Sequence, residues 1–128
     1  MRVKALIDTQ AICIAANSGG PFSRKVRALF DDNDSDLFVS VASIVEIAIK
    51  VAIGKMELTS ELLQAALRDL RLIVIPISER HALRLYSLPS HHRDPFDRII
   101  LATALEEDLP IVTGDRVFSR YKGVRTIW

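Results

Sequence analysis

A single cysteine, Cys13, leaves this chain unable to form an internal disulfide or a cysteine-rich metal site. No stretch approaches the roughly 18 consecutive apolar residues of a membrane span. Arg2-Val3-Lys4 leads straight into an apolar run without the pattern of a signal peptide, so a cytoplasmic protein with no membrane association is expected. There is no internal repeat, linker or low-complexity tract. Charge of one sign is also scarce: 17 basic against 16 acidic residues give +1, which argues against broad non-specific binding to polyanions. The acid cluster Asp31-Asp32-Asn33-Asp34 lacks the glycine and the distal glutamate of a calcium loop and reads as a solvated turn. What is present is 49% hydrophobic residues over 128 positions, which suits one α/β domain, residues 1–128, with buried strands.

Taken in order, Val3 to Ile7 reads as a strand that ends in Asp8. A helical stretch from Ala11 to Ala16 breaks at Asn17-Ser18-Gly19-Gly20-Pro21, and Ser23 to Phe30 gives an amphipathic helix. Leu37 to Val39 is the second strand, and Ser40 is placed to N-cap a helix from Val41 to Ile53 that Gly54 closes. The polar residues of that helix, Ser43, Glu46 and Lys50, form one stripe on an apolar cylinder, so the helix is expected to be buried all round. Glu46 then has two readings: half of an i,i+4 ion pair with Lys50, or a functional carboxylate, because a buried acid needs a partner. Glu61 to Leu70 is helical. The near-continuous apolar run Leu72 to Ile77 reads as a central strand, and Ser78 to Tyr86 as a helix in which His81 is expected at the surface or in a cap. Val124 to Ile127 supplies an edge strand. Alternating strands and helices predict a three-layer α/β/α sandwich around a mainly parallel sheet of four to five strands.

The stretch from His91 to Asp115, HHRDPFDRIILATALEEDLPIVTGD, carries most of the chemistry. An apolar helix, Ile99 to Leu105, is opened by Asp97, and a short strand, Pro110 to Thr113, ends in a Gly-Asp turn presenting Asp115. Few residues join helix and strand, so they run antiparallel, and Asp97 and Asp115 reach the same sheet edge. Asp8 ends the first strand at that edge, Glu46 lies within two turns of the start of its helix, and Asp94 precedes Asp97 by three residues. In an open α/β sheet this rim is where ligands bind. Taken one at a time these acids also suit turns and caps, but their joint placement points to a metal site. Carboxylates gathered this closely repel by about 4 kcal/mol per pair at 4 Å and a dielectric near 20, and a cation relieves that repulsion. An all-oxygen site selects Mg²⁺ or Mn²⁺, whose natural use is phosphodiester hydrolysis by an activated water. Arg93 and Arg98 are expected to meet the incoming phosphate, while His91 and His92 read as flexible loop residues. The acid-free tail with Arg116, Arg120, Lys122 and Arg125 is either a solvated surface or a set of phosphate contacts.

With these residues in place, the chain resembles the PIN-domain ribonucleases of the VapC toxin type, from type II toxin-antitoxin modules. The resemblance runs through ALIDTQ, VSVASIVEIAIKVAIGKMEL, LPSHHRDPFDRIILATALEEDLPIVTGD and a last strand ending in Trp128. It implies that Asp8, Glu46, Asp97 and Asp115 are the catalytic acids and metal ligands, with Asp94 as a helper and Thr113 a neighbour of the metal. It also implies Mg²⁺ or Mn²⁺, cleavage of single-stranded or structured RNA, a homodimer, and a cognate antitoxin that inserts into the active-site groove. The chain departs from close relatives at Gln10, where histidine is usual, and at Val45, where tryptophan is usual; neither change removes a ligand. Three other functions fit parts of the pattern: a catalytically silent PIN-fold module that binds RNA or protein, a phosphohydrolase with Asp8 as nucleophile, and a phospho-acceptor domain. The second wants an acid where Gln10 stands.

Overall fold

The structure is a computed structural model that describes residues 2–18 and 20–128; Gly19, part of the expected Asn17–Pro21 break, lies outside them. Five strands, β1 (Lys4–Ile7), β2 (Asp36–Ser40), β3 (Ile73–Ile75), β4 (Ile111–Val112) and β5 (Thr126–Ile127), form one sheet in the order β3-β2-β1-β4-β5. Every neighbouring pair is parallel, with Ile7 beside Val39 on one side and Val112 on the other. Side chains alternate across the sheet, and each face builds its own core. Ala5, Ile7, Leu37, Val39 and Val112 pack with Ile12, Val26, Phe30, Ile47 and Leu63. Those partners come from α1 (Thr9–Ser18), α2 (Arg24–Asp31), α3 (Val41–Ala52) and α4 (Ser60–Asp69). On the other face Leu6 and Ile111 pack with Ile100, Leu101, Ala104 and Phe118, largely from α6 (Pro95–Glu107). The result is the expected layered α/β arrangement.

The chain winds outward from β1 to β2 and β3, then crosses back to place β4 on the other flank of β1. Connections leave β1 and β4 in opposite directions, which opens a crevice at their carboxyl ends.

Four local expectations need correction. The Leu72–Ile77 run is not central: β3 is an edge strand, and Ile73, Val74 and Ile77 are exposed. An unbroken apolar run tells that a strand can be covered on both faces, not where it stands in the sheet. Nor is α3 buried all round. Ser43 and Glu46 point inward, whereas Ile49 is 45% and Ile53 59% exposed, so the polar stripe faces the protein and the apolar stripe faces out. α6 begins at Pro95, not near Ile99, because Pro95 occupies a position where a missing N–H costs nothing and Asp94 caps it, accepting from Phe96 N and Asp97 N. His81, in the short helix α5 (Glu79–Arg84), is buried. Its Nδ1 accepts from Ser78 N and its Nε2 meets Glu107 at 2.8 Å, so the expected cap is present but the surface position is not. Ser40 caps α3 through Ala42 N, as expected, and the Asp31–Asp34 segment is a local turn in which Asp34 N donates to Asp32.

Candidate metal centre

Asp8 is the first residue past β1 and is buried. One of its oxygens accepts from Ala11 N, which caps the start of α1, and the other accepts from the Thr113 hydroxyl across the crevice. Its carboxyl is pushed up to about 6, chiefly by burial, with the hydrogen bonds from Thr113 and Ala11 pulling the other way and Asp115 and Glu46 adding upward pushes. Thr113 also accepts from Asp115 N, so one hydroxyl ties together acids from the two ends of the chain.

Glu46 comes from the second turn of α3 and is only 4% exposed. Its Oε2 pairs with Lys50 Nζ at 2.7 Å, which is the i,i+4 pair foreseen from spacing. Its Oε1 is buried and has no hydrogen-bond partner among the described residues. A buried carboxylate oxygen left unpaired costs several kcal/mol of order, unless something outside the chain supplies the missing positive charge.

Asp97 lies in the first turn of α6 and Asp94 at its cap. Asp97 is pushed up to about 7, chiefly by burial and next by Asp94, with His92 pulling the other way and Glu46 and Asp8 adding smaller upward pushes. Asp115 follows Gly114 and caps the 3₁₀ segment Arg116–Arg120 through Val117 N. Three chain starts, those of α1, α6 and this segment, thus turn backbone N–H groups toward acids at one rim, where their partial positive charge favours carboxylates.

All five acids, Asp8, Glu46, Asp94, Asp97 and Asp115, line one cleft of about 330 Å³, together with Thr9, Gln10, Cys13, Lys50 and Met56. Two triplets have donor atoms within 4.8 Å of one another: Glu46, Asp94 and Asp97, all in the cleft lining, and Asp97 and Asp115 with His92, which lies beside it. Asp8 lines the same cleft but belongs to neither triplet. A second cleft of equal volume, lined by Phe38, Ile75, Pro76, Leu109, Lys4 and the His81–Glu107 pair, gathers no such cluster of acids.

His92 was missed by spacing and composition. Its loop sequence suggests mobility, yet Tyr121 holds its backbone N–H and its ring stands edge-on to Phe118. Only a contact made from position 118 to 121 could have signalled this. Its neighbour His91 packs edge-on against Tyr121. Arg98 turns away from the cleft: its guanidinium donates to the carbonyls of Leu85, Leu88, Pro89 and His92 and so knits the loop. Arg93 is exposed. In the basic tail Arg125 pairs with Asp108 at the far end of α6, whereas Arg116 directly follows Asp115 and is exposed at the rim.

The donor set fits a hard divalent cation. Most of the donors are oxygens, one is a buried and partnerless carboxylate oxygen, and two acids are held near neutral protonation by their surroundings.

The sequence from residue 5 to 124 matches the family model described as PIN domain. No curated protein matches the chain. Among solved structures it is similar to VapBC2 from Rickettsia felis bound to a promoter DNA fragment, with a TM-score of 0.73 at 18% identity, covering 98% of each chain. A toxin-antitoxin complex from Klebsiella pneumoniae gives 0.64 at 23% identity, covering 97% of this chain and 96% of the other. FitAcB from Neisseria gonorrhoeae gives 0.66 at 20% identity, covering 100% and 97%.

Proposed function

Because the chain belongs to the PIN domain family, whose members are generally nucleases that use divalent metals, we propose that it is a Mg²⁺- or Mn²⁺-dependent endoribonuclease. The observation that carries this is Glu46 Oε1, buried without a partner in a cleft that four further carboxylates share. Asp8, Glu46, Asp97 and Asp115 would hold the cation, with Asp94 beside them in the tighter oxygen triplet. When bound, the cation supplies an activated water, orients the phosphate and offsets charge in the transition state.

The chain's own residues do the rest. Thr113 fixes Asp8, and Lys50 fixes Glu46, so each acid offers its oxygens in one orientation. The raised carboxyls of Asp8 and Asp97 release protons as the cation enters. Arg93, which directly precedes Asp94, and Arg116, which directly follows Asp115, are both exposed, and either suits an RNA phosphate.

The proposal extends to a toxin of the toxin-antitoxin kind, acting in the cytoplasm as one domain over residues 1–128 and held in check by an antitoxin that enters the cleft. Its support is the family and the likeness to complexes of that kind; no helix among the described residues is long and apolar enough to cross a membrane. A homodimer is supported by the outward apolar stripe of α3, which includes Val45 and Ile49. Asp8→Asn is expected to abolish metal-dependent cleavage of single-stranded RNA with the circular dichroism spectrum retained. Unchanged turnover in that variant sinks the nuclease assignment, and wild-type protein that binds Mn²⁺ yet cleaves no RNA points to a silent binding module.

A further inference from the structure

The imidazole of His92 lies against two acids of the cleft, with Nε2 2.9 Å from Asp115 Oδ2 and 3.1 Å from Asp97 Oδ2. Its tautomer follows from the other ring nitrogen. Nδ1 accepts from Asp94 N at 3.4 Å, so in the neutral ring the proton sits on Nε2 and is a donor to both carboxylates. Three further contacts hold the residue. Its backbone N–H donates to the Tyr121 hydroxyl at 2.7 Å, its carbonyl accepts from Arg98, and its ring stands 5.4 Å from Phe118. Nε2 is thus the one end of the residue left to serve the acids, and the side chain is 14% exposed.

The oxygens of the cluster divide accordingly. Asp115 uses one oxygen for Val117 N and the other for His92, and Asp97 uses Oδ2 for His92. Among the described residues, Glu46 Oε1 has no hydrogen-bond partner, while the hydrogen bonds and ion pair at Asp94 and Asp97 use Oδ1 and Oδ2 respectively, and these three residues make up the all-oxygen triplet. We propose that His92 is a positioning residue of the metal centre: one N–H shared by Asp97 and Asp115 draws the two acids together and leaves the Glu46–Asp94–Asp97 oxygens turned toward the cation. This rests on the metal-dependent reading above. His92 is not itself a ligand in this arrangement, because ligation through Nε2 would require its lone pair and would set the ring's proton on Nδ1 against Asp94 N–H. Donors that hold ligands in this way are worth about ten- to a hundredfold in metal affinity.

The test is Mn²⁺ titration of the full chain by calorimetry, with pulsed electron paramagnetic resonance on the bound ion. His92→Leu keeps the bulk and removes the donor; it is expected to weaken Mn²⁺ by about ten- to a hundredfold. His92→Gln carries an amide N–H to a similar reach and is expected to restore most of that loss. The bound Mn²⁺ of the wild type is expected to show no directly coordinated ¹⁴N. An unchanged affinity in His92→Leu, or no recovery in His92→Gln, overturns the proposal. So does strong nitrogen coupling in the wild type, a measurement that does not depend on any variant folding; it makes His92 a ligand. Glu46→Gln separates the two layers of inference: if the wild type binds no Mn²⁺, or Glu46→Gln binds it equally well, the metal-centre reading fails and this proposal fails with it.

Discussion

At the scale of single residues, the proposed metal centre has the acids of the cleft trade protons against a cation. Asp8 is pushed to about 6 and Asp97 to about 7, both chiefly by burial and both above the ordinary carboxylate value of 3.8. The folded, metal-free protein therefore binds more protons than the unfolded chain between those values, and the stability these two groups contribute is present at low pH and lost as pH rises through about 4 to 7. We expect the metal-free melting temperature to fall between pH 5 and pH 7.5, and saturating Mn²⁺ to restore it most at the higher pH. A metal-free melting temperature that climbs over that range contradicts the assignment. Glu46→Gln removes one charge from the cluster and should raise the metal-free melting temperature while abolishing the increment from Mn²⁺; thermal shift assays with and without the ion measure both. The positions of Asp8, Asp97 and Asp115 were legible because each acid borders a strand end or a helix start. His92 was not, since its neighbours in sequence say only that the segment is a loop and its restraints come from Phe118 and Tyr121.

Among the elements, α6 starts on a side chain that accepts from two of its backbone N–H groups. Asp94 caps it and also belongs to the oxygen triplet, so Asp94→Ala should cost about 1 kcal/mol through the lost cap and weaken Mn²⁺ as well. Asp94→Ser keeps a capping hydroxyl, so it should hold the melting temperature near wild type and lose only the metal contribution; if both properties survive, Asp94 has no part in the centre. The turn after β4 is a second such place. A Cβ on Gly114 would lie 2.7 Å from Trp128 Cε2, so Gly114→Ala must displace the indole. The expected cost is at the lower end of the ~1–3 kcal/mol of overpacked sites, because this ring is half exposed and can swing. Trp128 is the one tryptophan of the chain, and a red shift of its emission reports the change. Element type and order were readable from periodicity and caps. The facing of α3 was not: a polar stripe on an apolar helix looks the same in sequence whether it points to water or into a cleft of acids, and only the partners of Ser43 and Glu46 decide.

For the whole molecule, the same inversion leaves an apolar stripe toward solvent. Ile49→Glu places a charge in its middle, and light scattering should then give the monomer mass of 14.3 kDa where the wild type gives twice that; a variant that keeps the doubled mass shows that α3 is not the contact. The position of β3 at the sheet edge escaped the sequence for a related reason, since strand order depends on crossovers that hydrophobic pattern does not record. The crossover that returns the chain to β4 has one more outcome. Asp8 and its partner Thr113 are 105 residues apart in the chain, and the acid at 115 lies beyond Thr113. On the metal-dependent reading, a chain that stops short of residue 113 lacks both the hydroxyl that holds Asp8 and the acid at 115, so the cluster is completed only when β4 and the turn after it have been made.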